Sequence, residues 1–244
     1  MPQATAVGAN DADALTTADN HSVYKTVAKE IAAQQGKALT FMAKYNEREG
    51  SSCHIHLSLR GKDGSLVFWD DGSGERTPLY DHFVAGVLAT MRDFTLFYAP
   101  NINSYKRFAA GSFAPTTIAW GMDNRTCAVR LVGHGGGARM ENRVPGADVN
   151  PYLALAAMLA GGLHGIENEL ALEDELVGNA YDSDKPKVPH TMAEARERFA
   201  SSDLARAAFG EEVVAHYTNM ADVELAAYGA AVTDWELRRG FERL

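Results

Sequence analysis

The chain has 244 residues, of which 46% are hydrophobic and 23% charged, and its formal net charge at pH 7 is -9. This is the composition of an ordinary globular protein, and the acidic balance argues against nucleic-acid binding, which needs a basic face. Cys53 and Cys127 form no CxxC motif, and no run reaches the roughly 20 apolar residues of a membrane span, so we expect a cytoplasmic protein without a nucleic-acid or membrane partner.

The first part of the chain predicts one helix followed by short strands. Residues 1–14 have no pattern and indicate either a flexible leader or the edge of a larger fold. From Asn20 to Gly36, a capping side chain, apolar residues four positions apart and a closing glycine predict a helix. The predicted strands are 39–43, the strictly alternating 53–59 and, after a turn at 61–64, 65–69.

The rest of the chain predicts long helices around a group of strands. An amphipathic helix over 79–98 is stopped by Pro100, and a basic, glycine-containing loop over 101–114 follows. Asn150 and Pro151 start a helix whose small residues permit close packing. The strands predicted between these helices are 116–120, 127–132 and 139–144, and a helical region follows a polar loop at 178–188. This order predicts the α+β class, an antiparallel β-sheet flanked by helices.

Two histidines on one strand face form the first candidate site. Alternation places His54, His56 and Ser58 on the same side of the predicted strand. The simplest interpretation is a half-exposed strand with incidental histidines. The functional alternative is a site for a divalent metal, because a neutral imidazole beside a carboxylate is a good metal ligand.

The strand from Arg139 to Arg143 is the second candidate site. Its pleat places Arg139, Glu141 and Arg143 on one face. Such a row can be a solvated ladder of ion pairs. It can also be a metal-binding carboxylate between guanidinium groups that grip carboxylate or phosphate through two hydrogen bonds.

Cationic side chains are concentrated in the middle of this otherwise acidic chain. The polar, basic loop over 101–115 has the character of a flap that covers a substrate. The cations in and after it are Lys106, Arg107, Arg125, Arg130, Arg139 and Arg143. Their clustering predicts an anionic ligand with several negative groups, such as a nucleotide triphosphate together with an acidic substrate.

Several segments make the chain resemble a known family. The stretches NINSYKRFAAG, IAWGMDNRTCAVRLVG and RMENRVPGADVNPYLALAAMLAGGLHGIEN are similar to the C-terminal half of the glutamine synthetase catalytic domain. Upstream, SSCHIHLSL is similar to the histidine-containing strand of that family, and DALTTADNHSVYKTVAKEIA resembles the helix before it. The resemblance runs from about Asp11 to Glu169 in the same order and spacing, whereas the tail beyond carries no signature.

The resemblance implies a place in the fold and a ligand for each candidate residue. Residues 1–244 would form a partial catalytic domain, truncated at the N-terminus, without the first catalytic strands and the N-terminal β-grasp domain. His54 and Glu141 would ligate Mg²⁺ or Mn²⁺. The implied ATP-binding residues are His56, Ser58, Arg125, Arg130 and Arg139, and the implied glutamate-binding residues are Gly50, Arg107 and Arg143.

The resemblance also implies a reaction. Members of the family are ATP-dependent ligases that join the γ-carboxylate of glutamate to an amine through γ-glutamyl phosphate, and the full-length protein would be a homo-oligomer of dodecamer-like rings. Arg125 and Phe113 would lie at the catalytic centre. The amine would be ammonia or a larger amine such as ethanolamine or a polyamine. The alternative is a catalytically silent relative that keeps the fold for assembly or regulation.

Some positions depart from the family pattern. The nearest of the further metal-binding glutamates of the family falls on Ala6, and Glu49 and Ser52 replace an asparagine and a glycine beside the glutamate loop. In the flap, Phe113 replaces a glutamate that closes the site and handles ammonium. Phenylalanine accepts no proton, but its ring can contact an alkyl chain or a remote amino group. We therefore expect the complete enzyme to prefer a substituted amine, and this chain alone to be inactive.

Overall fold

The structure, a computed structural model, describes residues 12–112 and 114–243. Its helices are α1 (Ala14–Gln34), α2 (Pro78–Tyr98), α3 (Ile102–Tyr105), α4 (Pro151–Glu167), α5 (Met192–Ser201), α6 (Asp203–Phe209), α7 (Glu211–Ala230) and α8 (Asp234–Gly240). Its strands are β1 (Ile55–Leu57), β2 (Trp69–Asp70), β3 (Glu75–Arg76), β4 (Thr117–Met122), β5 (Cys127–Val132) and β6 (Arg139–Asn142).

A four-stranded sheet in the order β1-β6-β5-β4 carries four of the candidate residues, His56, Arg130, Arg139 and Glu141. His54, Ser58 and Arg143 lie directly beside the ends of its strands. The predicted α+β arrangement, a sheet flanked by helices, is confirmed. Antiparallel pairing, as expected, joins β1 to β6 and β6 to β5. The pairing of β4 with β5 differs from the expectation, because these two strands are parallel.

The parallel pair results from the path of the chain between β4 and β5. A hairpin would pair Met122 with Cys127, but the register places Cys127 beside Thr117 and Leu131 beside Met122. Asp123 has a positive φ of 50°, and the chain turns back at this residue before β5 begins. Parallel neighbours are usually joined by a much longer crossover. The short connection over 123–126 therefore gave no sign in the sequence that β4 and β5 are parallel.

The helices pack around α2. The side chains of Thr77 and Asn150 cap α2 and α4, and each helix has a proline in its first turn. The two helices touch through Gly86 of α2 and Gly161 and Gly165 of α4. The sequence predicted close packing of α4 but not that α2 is its partner. An aromatic cluster joins α2 to α5, α6 and α7 through Phe94, Phe97, Phe199, Phe209 and Tyr217.

Helix α1 differs from its prediction in its start and in its exposed face. It begins earlier, at Ala14, where the carboxylate of Asp13 accepts a hydrogen bond from the Thr16 amide at 3.0 Å. The apolar positions that predicted the helix point to solvent. Their exposed fractions are 61% for Val23, 42% for Val27 and 53% for Ile31. Across the described ranges, no helix has the length and apolar character to cross a membrane.

The N-terminal strands are shorter than the sequence predicted. Residues 39–43 are not assigned to a strand, and β1 occupies only the centre of the predicted strand at 53–59. The predicted hairpin is reduced to a single bridge between Arg60 and Leu66 around the turn at 61–64.

Candidate active site

Glu141 lies at the centre of one sheet face. The register places it directly opposite His56 of β1 on one side and Arg130 of β5 on the other. Cross-strand neighbours share a face, so the alternation that the sequence predicted for these strands brings the three side chains together. The side chain of Glu141 is only 3% exposed.

Both oxygens of Glu141 are occupied by hydrogen-bond donors. Arg143 Nη1 donates to Oε1 at 2.7 Å, and Arg130 Nη1 donates to Oε2 at 3.0 Å. His54 Nδ1 lies 3.0 Å from Oε1. Burial raises the pKa of Glu141, but the hydrogen bond from His54, the charge of Arg143 and the hydrogen bond from Arg130 outweigh it and lower the pKa to about 2. The carboxylate is therefore ionised at neutral pH.

His54 presents a free lone pair beside this carboxylate. Burial lowers the pKa of His54 more than Glu141 raises it, so the ring is neutral at pH 7. Because the carboxylate only accepts hydrogen bonds, we assign the single ring proton to Nδ1, which leaves Nε2 unprotonated. Within the part of the chain that the structure describes, Nε2 is buried and has no hydrogen-bond partner. A histidine held by a carboxylate in this way is a typical metal ligand.

The residues present fit only part of a divalent-metal site. Across residues 12–112 and 114–243, no group of three His, Cys, Asp or Glu side chains is arranged to hold an ion. His54 Nε2 offers one ligand, and the carboxylate of Glu141 lies 3.0 Å from the other nitrogen of the same ring. Hard cations such as Mg²⁺ need several oxygen ligands, so this site requires further oxygens to be complete.

His56 and Arg139 extend the same face toward a glycine-rich turn at 133–137. Arg139 Nε donates to His56 Nδ1 at 3.2 Å, and Arg139 Nη1 donates to the carbonyl oxygen of Gly137 at 2.9 Å. Burial is the main cause that lowers the pKa of His56, so the ring is neutral and can accept this bond. Ser58 is exposed and lines a shallow crevice with residues of the same turn.

Arg107 and Gly50, two of the residues that the resemblance assigned to glutamate, lie side by side. Arg107 is buried, and its guanidinium donates to Ser52 Oγ at 2.9 Å and to the carbonyl oxygen of Val144. Burial lowers the pKa of Arg107 to about 10, so it remains a cation at neutral pH. A Cβ added to Gly50 would lie 2.7 Å from Arg107 Cγ, so position 50 has no room for a side chain while Arg107 occupies this place.

Arg143 and Arg125 are connected through the backbone. Arg143 Nε donates to the carbonyl oxygen of Arg125 at 3.1 Å, and Nη1 lies 3.3 Å from His54 Nδ1. Arg143 therefore belongs to the group around Glu141. The side chain of Arg125 is exposed and lines a surface depression formed by residues 122–126 and 175–178. Phe113, the predicted amine-contacting residue, lies outside the described residues, as does Ala6.

Sequence reasoning missed three partners of these cations. Asp123 accepts a hydrogen bond from Arg130 Nη2 at 2.7 Å, and Ser52 and the Val144 carbonyl hold Arg107. Ser52 had given a signal, since the resemblance led us to expect a glycine at this position. Asp123 gave none, because its position depends on the parallel pairing of β4 and β5.

The chain belongs to the glutamine synthetase family, because the catalytic domain of that family matches residues 4–240. The sheet with its flanking helices and the carboxylate between two guanidiniums agree with this class. The γ-glutamylethanolamide synthetase GlnA4 of Streptomyces coelicolor is 62% identical over 232 residues, which cover 95% of this chain and 50% of that relative. The glutamate–isopropylamine ligase of a Pseudomonas species is 43% identical over 234 residues, which cover 93% of this chain and 51% of the relative.

A solved structure has the same fold. A GmaS/ADP complex superposes with a TM-score of 0.85 at 32% identity, which covers 95% of this chain and 55% of the other. The chain thus spans about half the length of the curated relatives it matches. Members of the glutamine synthetase family use ATP and divalent metals in general, and glutamate–amine ligases are among the relatives of this chain.

Proposed function

We propose that this chain is part of an ATP-dependent ligase that joins the γ-carboxylate of glutamate to an amine. The supporting observation is the buried, ionised Glu141, held between Arg130 and Arg143 beside the unprotonated Nε2 of His54. Phosphoryl transfer between ATP and a carboxylate brings negative groups together, so it needs positive charge fixed in advance. This sheet face supplies that charge within an acidic chain.

The reaction would proceed in two steps. The γ-carboxylate of glutamate attacks the γ-phosphorus of ATP, which gives γ-glutamyl phosphate and ADP. The amine then attacks the acyl carbon, and phosphate and a proton leave. His54 and Glu141 would hold Mg²⁺ or Mn²⁺, and the ion would neutralise phosphate charge. The residues proposed to bind ATP are His56, Ser58, Arg125, Arg130 and Arg139, and those proposed for glutamate are Gly50, Arg107 and Arg143.

The amine is proposed to be larger than ammonia. Two similar proteins carry the names of an ethanolamide synthetase and an isopropylamine ligase, so both handle alkylamines. Phe113 supplies no acid for ammonium but offers a ring face to an alkyl group. Arg125 is proposed to lie next to the acyl phosphate, and Phe113 next to the incoming amine.

The test is a panel of amines with the full-length protein that contains this chain. Phosphate release from ATP and glutamate is measured with ammonium, ethanolamine, isopropylamine, putrescine or spermine. We expect an alkylamine to give the highest kcat/KM, and we expect Phe113→Glu to shift preference toward ammonium, with Phe113→Leu as the apolar control. Ammonium as the best substrate would disprove the larger-amine proposal, and no release with any amine would favour a silent relative.

The remaining properties are proposed from the family. The full-length protein would be a cytoplasmic homo-oligomer built of dodecamer-like rings, and residues 1–244 would be part of its catalytic domain. Light scattering after size-exclusion chromatography measures the mass of the oligomer directly. A monomer at micromolar concentration would contradict the proposal.

A further inference from the structure

Asp148 stands outside the proposed ligand set, in a turn over residues 146–149 between β6 and α4. Its Oδ2 accepts hydrogen bonds from Asn101 Nδ2 at 2.9 Å and from Ser104 Oγ at 2.6 Å. These two donors begin the short helix α3, which leads directly to Arg107. One carboxylate oxygen therefore holds the start of the loop that carries Arg107.

The turn is itself a fixed support. The Gly146 amide donates to the Tyr98 carbonyl at 3.3 Å, where α2 ends, and the Ala147 amide donates to the Ser51 carbonyl at 3.0 Å. From α1, Lys25 Nζ donates to the carbonyl oxygens on both sides of Asp148, at 3.0 Å and 3.2 Å. Contacts from α1, from α2 and from the segment before β1 thus fix the backbone that presents this carboxylate.

The second oxygen of Asp148 lies near Arg107. Within the described residues, Asp148 Oδ1 and Arg107 Nε are both buried without a hydrogen-bond partner. A Cβ built on Gly146 would lie 2.5 Å from Oδ1 and 3.7 Å from Nε, so both atoms border the space left by this glycine. The negative charge of Asp148 also raises the pKa of Arg107 against the effect of burial.

We propose that Asp148 is a positioning residue, which holds the 101–107 segment by hydrogen bonds and stabilises the buried charge of Arg107 so that Arg107 can bind a substrate carboxylate. The substrate part of this inference rests on the proposed function. The anchoring part rests on the contacts alone. Asp148 touches no reacting atom in this arrangement and acts through Arg107.

Two substitutions separate the charge from the hydrogen bonds. In Asp148→Asn the amide oxygen can still accept from Asn101 and Ser104, but the negative charge is lost. In Asp148→Ala both are lost. Asp222→Asn is the matched control, because Asp222 forms an exposed ion pair with Arg196 at 2.6 Å on another part of the molecule.

Kinetics of the full-length enzyme give the first readout. We expect Asp148→Asn to raise the KM for glutamate about tenfold and Asp148→Ala by more, because the buried guanidinium of Arg107 loses a nearby negative charge. The KM for ATP should change less than about twofold, since the ATP-binding cations do not contact Asp148. Asp222→Asn should match the wild type. An unchanged KM for glutamate, or equal rises of both KM values with a lower Tm, would overturn the positioning role.

Hydrogen exchange of the same proteins gives a readout that is independent of turnover. We expect amides in 101–108 to exchange faster in Asp148→Ala than in the wild type, whereas amides of α4 stay protected. Unchanged exchange in 101–108 would overturn the anchoring role. A wild-type protein that releases no phosphate with any amine would contradict the proposed function, and faster exchange would still support Asp148 as the anchor.

Discussion

Glu141 is a buried carboxylate whose charge is favoured by folding. Its pKa falls from 4.5 to about 2 in the folded chain, so its stabilising contribution is complete above pH 4.5 and is lost as the pH falls toward 2. We expect Glu141→Gln to lower the free energy of unfolding by about 3 kcal/mol at pH 7, because two guanidiniums lose their partner.

The measurement is urea denaturation of wild type and Glu141→Gln at pH 7 and pH 3. The difference between the two proteins should be smaller at the lower pH, since position 141 of the unfolded wild-type chain is protonated at pH 3 whereas the folded carboxylate is still ionised. Glu173→Gln is the control, because its ion pair with Lys185 is partly exposed and should contribute little at either pH. A difference that stays constant between the two pH values would show that the charge of Glu141 is not stabilising.

Arg143 uses the planar shape of its guanidinium. Nη1 donates to Glu141 and Nε donates to the Arg125 carbonyl, and a single ammonium group does not reproduce both bonds. We expect Arg143→Lys to lower kcat/KM for glutamate about 100-fold in the full-length enzyme, although the charge is kept. Steady-state kinetics with Arg196→Lys as the control measures this loss. An unchanged dependence on glutamate would exclude Arg143 as a carboxylate clamp.

At the level of elements, the crossing of α2 and α4 depends on glycine. A Cβ added to Gly165 would lie 2.0 Å from the His82 carbonyl oxygen, so the helices would have to separate. We expect Gly165→Ala to destabilise the fold by about 2 kcal/mol or more, since the clash is with backbone. Gly229→Ala in α7 is the control: apart from its own turn of helix, no atom of the described residues lies within 4 Å of its added Cβ.

Thermal denaturation of the two alanine variants decides this prediction. Gly229→Ala should raise the Tm slightly, because alanine favours a helix over glycine by about 1 kcal/mol. Gly165→Ala should lower it by several degrees. If both variants raised the Tm, the helices would be far enough apart at 165 to accept a side chain.

The elements with strong local signals were predictable from the sequence. Helix α2 carries a continuous apolar stripe, α4 has an Asn-Pro start, and β5 has the bounds that its alternation predicted. Alternation also predicted that Glu141 shares a face with Arg139 and Arg143. These features depend on neighbouring residues in the chain, so periodicity is enough to find them.

The features that were not predictable depend on contacts between distant segments. Pairing of β4 with β5 follows from the backbone conformation at Asp123, and no composition rule gives it. The apolar stripe of α1 predicted the helix but not the face it buries, since Ala18 is its buried residue. The partners of Arg107 come from Ser52 and from the backbone at Val144, which only the folded path brings together.

At the scale of the whole molecule, the metal site that residues 12–112 and 114–243 form is incomplete. His54 and Glu141 are the implied ligands that the chain retains, and Mg²⁺ or Mn²⁺ needs more oxygens. We expect the 244-residue chain to bind Mn²⁺ with a Kd above about 0.1 mM, measured by calorimetry. His54→Ala should remove the remaining heat of binding. A tight site of one ion per chain would contradict this prediction.

The glycine contact between α2 and α4 also limits how this sequence can diverge. An added Cβ on Gly86 would lie 2.5 Å from the Gly165 amide nitrogen, so neither position can gain a side chain without a change in the spacing of both helices. The end of α2 holds the 146–149 turn through the Tyr98 carbonyl, and α4 starts just after that turn. A wider crossing would therefore move the turn and Arg107 with it. In evolution, residues 86 and 165 should change only together. Related sequences that keep the residues around Glu141 and Arg107 should keep a small residue at both positions.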